Sequence, residues 1–243
     1  MGQDERIQAG FDFSVFEVLT FDCYGTLIDW ERGLLDAIHE VLDRRGLQAR
    51  NEELLEAYAR EEADLEKGDY LPYKEILRRC VRALGDRFGF SPSDDEAEAF
   101  AKSVGDWPPF DDSAEALARL STRFRLGVIT NCDDDLFARS NERLRVTFDW
   151  VVTAEQVGSY KPSRRNFEVA LERIGTSPDR VLHVAQSLYH DHVPAKRMGL
   201  FTVWVDRRRG KEGFGATPPA SVAPDVIVPD MRSLAEVALR DFR

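Results

Sequence analysis

From residue 125 onward the chain alternates short apolar runs with stretches of helical period, and few folds accept that rhythm. The runs are RLGVIT (125 to 130), WVVTA (150 to 154), VLHVA (181 to 185), LFTVWV (200 to 205) and VIV (226 to 228). Helices are expected near 133 to 143, 163 to 174 and 191 to 198, and at the end of the chain. Apolar strands alternating with helices of this length pack as a parallel sheet with helices on both faces, because each crossover needs a helix that covers the sheet. An earlier run, VFEVLTFD (15 to 22), ends on an acid and enters Tyr-Gly-Thr, as a buried strand enters a turn. The expected fold class is α/β, a Rossmann-like parallel-sheet core with helices on both faces.

Between residues 31 and 106 the period is helical instead. Leu34, Leu35, Ile38, Val41 and Leu42 share one face, and Ile76, Leu77, Val81, Leu84 and Phe88 another. No strand interrupts the stretch, so it reads as an inserted α-helical cap. The expected division is a core of residues 1–29 and 108–243 and a cap of residues 30–107. Asp29-Trp30 and Trp107 to Phe110, with its two prolines, would be the hinges. Residues 207–224, rich in Arg, Gly and Pro, read as a long loop of the functional or mobile kind.

Charge narrows the ligand. Lys and Arg total 33 against 44 Asp and Glu, a net charge of −11, which offers no general attraction to nucleic acid or to an anionic membrane. A small molecule is the expected partner. No apolar stretch reaches the roughly 20 residues of a membrane helix, and MGQDERIQAG lacks the apolar core of a secretory signal, so the cytoplasm is the expected location. Three cysteines, Cys23, Cys80 and Cys132, without CxxC spacing suggest neither a disulfide framework nor a zinc site.

In a parallel sheet, ligands bind beyond the carboxyl ends of the strands. That rule gathers Asp22, Tyr24 and Thr26 after the first run, Thr130 and Asn131 after the second, Lys161 after the third, and Gln186, Ser187, His190 and Asp191 after the fourth. A lone Asp after a strand is ordinarily a turn residue or a helix cap. Set in this company it is a candidate covalent nucleophile, which needs a cation and hydrogen-bond donors to hold it, and Lys161 and Thr26 supply both. His190 and His192 flank Asp191, but residues two apart on a helix point to different sides and do not share one ion.

The order DxxGTL, Thr-Asn, Lys-Pro and an acid in SLYHD resembles the four-motif signature of the haloacid dehalogenase superfamily, over nearly the whole chain. The helical insert is similar to the cap of its 2-haloacid dehalogenase-like subfamily. DCYGTLIDWE, GSYKP, SLYHDH and RRRGKEGFGAT are also similar to azetidine-2-carboxylate hydrolases. The resemblance implies a hydrolase whose Asp22 attacks the carbon next to a carboxylate, with halide or a ring nitrogen leaving and water opening the aspartyl ester. Catalytic roles then fall to Asp22, Lys161, Asp191, Thr26 and Asn131, and substrate contacts to Tyr24, Arg60, Thr130, Gln186, Ser187 and His190. For Arg60, in LEAYAREEA, two readings stand: the arginine that dehalogenases turn on the substrate carboxylate, or a solvated helix arginine.

Departures from the pattern bear on the reaction. Superfamily phosphatases carry a second Asp two residues after the nucleophile as general acid, and this chain has Tyr24 there. Losing a general acid forfeits about 10² to 10⁴ in rate, roughly 3 to 5 kcal/mol of barrier. Halide leaves without a proton, and a ring ammonium already carries its own. Ala185-Gln186 replaces the phosphatases' Gly-Asp and removes a carboxylate that supports magnesium. A metal-free site is the expectation, with Asp22, the Tyr24 carbonyl and Asp191 as the ligands if Mg²⁺ is used. Phe167 and Ser187-Leu188 depart from the dehalogenase Tyr and Ser-Asn. A Mg²⁺-dependent phosphatase and a non-catalytic binding protein remain as other readings. Homodimers are common among such relatives.

Overall fold

The computed structural model describes residues 10–211 and 213–240. Six strands form one parallel sheet: β1 (Val18–Phe21), β2 (Arg125–Thr130), β3 (Trp150–Thr153), β4 (Val181–Ala185), β5 (Phe201–Val205) and β6 (Val226–Val228). Their order is β3-β2-β1-β4-β5-β6. The chain winds outward from β1 in one direction and resumes at β4 in the other, so the connections leaving β1 and β4 diverge and open a crevice at the carboxyl edge. That crevice is where a ligand site belongs, and β1 and β4 flank it.

The strands are buried because both faces are covered. Leu19 and Phe21 face the larger core, while Val18 packs on the other side with Ile129, Val152, Phe167 and Val181. This is the period-two alternation of a pleated strand. The helices run α1 (Trp30–Asp43), α2 (Asn51–Glu66), α3 (Tyr73–Phe88), α4 (Asp94–Ser103), α5 (Ser113–Leu120), α6 (Asp134–Leu144), α7 (Ala154–Val157), α8 (Arg164–Ile174), α9 (Val193–Arg197) and α10 (Met231–Ala238). None among the described residues is long and apolar enough to cross a membrane.

The helical stretch α1 to α4 leaves and rejoins the sheet side by side. Asp29 N–H donates to the Pro108 carbonyl at 2.8 Å, and Ile28 bridges Pro109. A second tie comes from Asp133, just beyond β2, whose carboxylate accepts from the backbone N–H groups of Tyr73 (2.7 Å) and Lys74 (3.0 Å). These are orphan donors of the first turn of α3, so the sheet half caps a helix of the inserted half. Gly33 of α1 lies against Trp107: a Cβ there would come within 2.2 Å of the indole.

One element departs from expectation. The helix expected at 191 to 198 begins instead as a π turn, Leu188–His192, before α9. Pro194 explains the break, since a proline lacks the N–H that would bond back along an α-helix and belongs at a helix's first positions.

Candidate active site

Asp22 follows the last residue of β1, and its N–H donates to the Val184 carbonyl of β4 at 3.0 Å. The strand pair thus sets its height at the sheet's carboxyl edge. The turn that follows needs Gly25, whose φ of +94° lies in the left-handed region and whose missing Cβ would stand 3.0 Å from Trp30 Nε1. Thr26 is thereby turned back on the acid, its Oγ1 donating to Asp22 Oδ2 at 2.6 Å. Gln186 N–H donates to the same hydroxyl at 2.8 Å, fixing which way its proton points.

Lys161 is buried, and its ammonium donates to Asp22 Oδ1 (2.8 Å), Asp191 Oδ1 (2.7 Å) and the Ile129 carbonyl (2.8 Å). An ammonium has three hydrogens, and all are committed. Asp191 Oδ1 also meets His183 Nε2 at 3.0 Å, and His183 Nδ1 meets Thr20 Oγ1 at 3.0 Å. Burial alone would push both acids up. For Asp191, Lys161 and His183 outweigh burial and its pKa is lowered, whereas Asp22 is raised, burial outweighing Lys161 and the Asp191 charge adding to it. Burial opposes the Lys161 charge too, but the two carboxylates prevail and lift its pKa. The result is a fixed cation, a fixed anion and a more basic carboxylate beside them, which is a suitable arrangement for a carboxylate nucleophile.

A cavity of about 40 Å³ opens over these groups, a few water-sized positions. Of the residues expected at the site, Asp22, Tyr24, Asn131, Lys161, Ser187, His190 and Asp191 line it. Asn131 does so while clamping Lys161: its Oδ1 accepts from Lys161 N–H at 2.7 Å and its Nδ2 donates to the Lys161 carbonyl at 3.0 Å. The Tyr24 hydroxyl is taken by Ser140 (3.0 Å) and Cys132 (3.4 Å), and burial keeps that phenol protonated. Ser187 caps the π turn through the His190 N–H, and burial holds His190 neutral, its pKa lowered to about 4.

Three expected contacts lie elsewhere. Arg60 sits on the exposed side of α2, its side chain 54% accessible and paired with Glu56 at 3.1 Å; the helix turns it from the cavity, and the solvated reading describes its place. Thr130 is buried behind the cavity, and the Gln186 side chain faces a neighbouring cleft with Thr217. Nor does the arginine run at 207 line the cavity. Arg207 donates to the Thr26 carbonyl (2.9 Å) and pairs with Asp112 (3.0 Å), while Arg208 pairs with Glu31. The loop instead reaches the site through Thr217.

Trp30, Glu62, Glu66, Tyr73 and Thr217 complete the lining. The Tyr58 and Tyr73 hydroxyls both donate to Glu62 Oε1, at 2.7 and 2.6 Å, and burial carries this carboxyl up to about 7 despite them. One sequence signal pointed there. Leu54, Leu55 and Tyr58 form the buried stripe of α2, and Glu62 falls on it one turn later.

The sequence profile of the haloacid dehalogenase-like hydrolases matches residues 16–199. The chain belongs to that family. Among its relatives in the haloacid dehalogenase-like hydrolase family, an (S)-2-haloacid dehalogenase of Pseudomonas putida is 25% identical over 200 residues, 79% of this chain and 85% of that one. A pyrimidine 5'-nucleotidase of Escherichia coli is 31% identical over 131 residues, 52% of this chain and 58% of that one. A solved L-2-haloacid dehalogenase from Xanthobacter autotrophicus, with chloropropionic acid covalently bound, has the same fold: TM-score 0.75, 20% identity, 94% of this chain and all of that one.

Some members of such a family raise the question of magnesium, for which Asp22, the Tyr24 carbonyl and Asp191 would be the oxygen donors. The donor set fits poorly. Both Asp22 oxygens accept hydrogen bonds, and Lys161 stands between the two carboxylates, so its ammonium already supplies the positive charge an ion would bring there. Of the four carboxylate oxygens of Asp22 and Asp191, Asp191 Oδ2 alone is without a partner among the described residues.

Proposed function

We propose that this hydrolase displaces a leaving group from the carbon next to a carboxylate in a small acid, through an aspartyl ester on Asp22. Asp22 Oδ attacks the carbon in line, and the leaving group departs with the bonding electron pair. Water then adds to the Asp22 carboxyl carbon, one hydrogen passing to Asp191 Oδ2. The C–O bond to the substrate oxygen breaks as Asp191 returns that proton to it, giving the hydroxyl of the product, and the regenerated Asp22 acid loses the second water hydrogen to solvent. Lys161 balances the charge at Asp22 throughout. The substrate carboxylate is held by uncharged donors of the lining, Ser187 and Thr217 among them. No metal is required by this scheme, and residues 30–107 act as a cap over a core made of residues 1–29 and 108–243.

The observation that carries this reading is Tyr24. It stands two residues after the nucleophile with its hydroxyl engaged by Ser140 and Cys132, so that position offers no acid to a departing alkoxide. The test is a panel of 2-haloacids, azetidine-2-carboxylate and phosphate esters, each with and without chelator. Halide release or ring opening, indifferent to chelator and lost in Asp22→Asn, is expected; release of phosphate alone would overturn the reading.

A further inference from the structure

Among the described residues four carboxyl groups line the cavity, those of Asp22, Glu62, Glu66 and Asp191, and Lys161 is the one basic side chain with them that carries charge. Its three hydrogens are directed to Asp22, Asp191 and the Ile129 carbonyl, so none is left for α2. Glu62 and Glu66 sit one turn apart on the same face of α2, where like charges repel. Both are buried at the side chain, Glu62 5% exposed as a residue and Glu66 6% at its side chain. Taking a carboxylate out of water is costly unless a cation meets it. Here the contacts are neutral: two phenols on Glu62 Oε1, the Asn131 amide on Glu66 at 3.3 Å, and His190 Nε2 at 3.8 Å from Glu66.

The acids are nevertheless held in place. Tyr58 and Tyr73 fix Glu62 by one oxygen, and Oε2 accepts no hydrogen bond among the described residues. Asn131 ties Glu66 to the backbone of the very lysine that holds Asp22. Independently, Asp191 lines the same cavity with Oδ2 buried and unpartnered. A buried site in which carboxyl groups outnumber cations suits a ligand that brings positive charge, whose arrival would draw the proton off one of these acids.

We propose that Glu62 and Glu66 form an ammonium subsite, so that the substrate is a small amino-acid zwitterion carrying a protonated nitrogen. The assignment rests on reading the Asp22 cavity as the substrate site, and it adds a specificity that a plain haloacid anion does not satisfy. It also relieves a difficulty of that anion, which would enter a cavity of like charge. Burial lifts both glutamic acids, Glu62 to about 7 and Glu66 well above the usual carboxylate range, as expected of groups awaiting a cation.

Unreactive ligands separate this subsite from the chemistry at Asp22. Binding of 2-aminobutyrate and of butyrate, alike in size and differing in the amine, is measured calorimetrically at pH 8 on the wild-type chain and on Glu62→Gln and Glu66→Gln. Glutamine keeps the shape and hydrogen bonding of the protonated acid and removes only its ability to ionise against an ammonium. The wild type is expected to prefer 2-aminobutyrate by about tenfold or more, and each variant, checked as folded by circular dichroism, to lose about tenfold of that preference. Equal or tighter binding of butyrate, no saturable binding of 2-aminobutyrate, or an unchanged preference in both variants would overturn the subsite. None of these results depends on whether Asp22 forms an ester.

Discussion

Glu62 and Arg60 are two residues apart on α2 and have opposite fates. Helix geometry turns one into the cavity and the other into water, although Arg60 has the familiar chemistry for binding an acid. Arg60→Ala is therefore expected to leave kcat/KM within about twofold, the scale of a solvated substitution. A large rise in KM would restore it to the site. Glu62 makes a prediction of opposite kind. Folding raises its pKa from 4.5 to about 7, so folding favours the protonated form. That contribution is complete below about 4.5 and is lost as pH rises through about 7. Relative to Glu62→Gln, the wild type should lose on the order of 3 kcal/mol between pH 4 and pH 8 in denaturant titrations. A difference independent of pH would mean that burial does not perturb this acid. Residues at strand ends were legible in the sequence because the edge of a parallel sheet is one place; Asp22, Lys161 and Asp191 meet there. Asn131 was expected as catalytic; it lines the cavity, and its amide brackets the Lys161 backbone. Glu62 and Glu66 went unnoticed because helical period gives a face without saying what that face meets.

At the scale of elements, the site depends on how α2 and α3 are held over the sheet. Tyr73 begins α3 and donates to Glu62 on α2, while Asp133 from the sheet half caps the first turn of α3. The position of Glu62 is thus fixed by a residue 71 places further along the chain, and no local pattern in the sequence announces that. Asp133→Ala should lower stability by about 0.5 to 2 kcal/mol, the value of a helix cap, and weaken substrate binding with it. Thermal melts and KM together check this; a loss of stability with KM unchanged would show that the cap does not transmit to the cavity. The strands were legible to within a few residues, because their apolar runs are bounded by turns and acids. The π turn at Leu188–His192 was not, since i→i+5 pairing follows from the constraint of Pro194 and the sheet beneath, and residue type hardly signals it.

Across the whole molecule, the reversal of strand order between β1 and β4 accounts for the site's location, and the haloacid dehalogenase-like hydrolase family for its parts. Helices α1 to α3 bring Trp30, Glu62, Glu66 and Tyr73 to the cavity lining. Both contributions meet at Asp22, whose covalent role is the central claim. The most direct test is turnover of a reactive substrate in H₂¹⁸O, with the peptide containing Asp22 weighed by mass spectrometry. Water that opens an aspartyl ester leaves its oxygen in the carboxylate, so ¹⁸O should accumulate in Asp22, and product from the first turnover should carry unlabelled oxygen. Label in the first product with none in Asp22 would contradict the account.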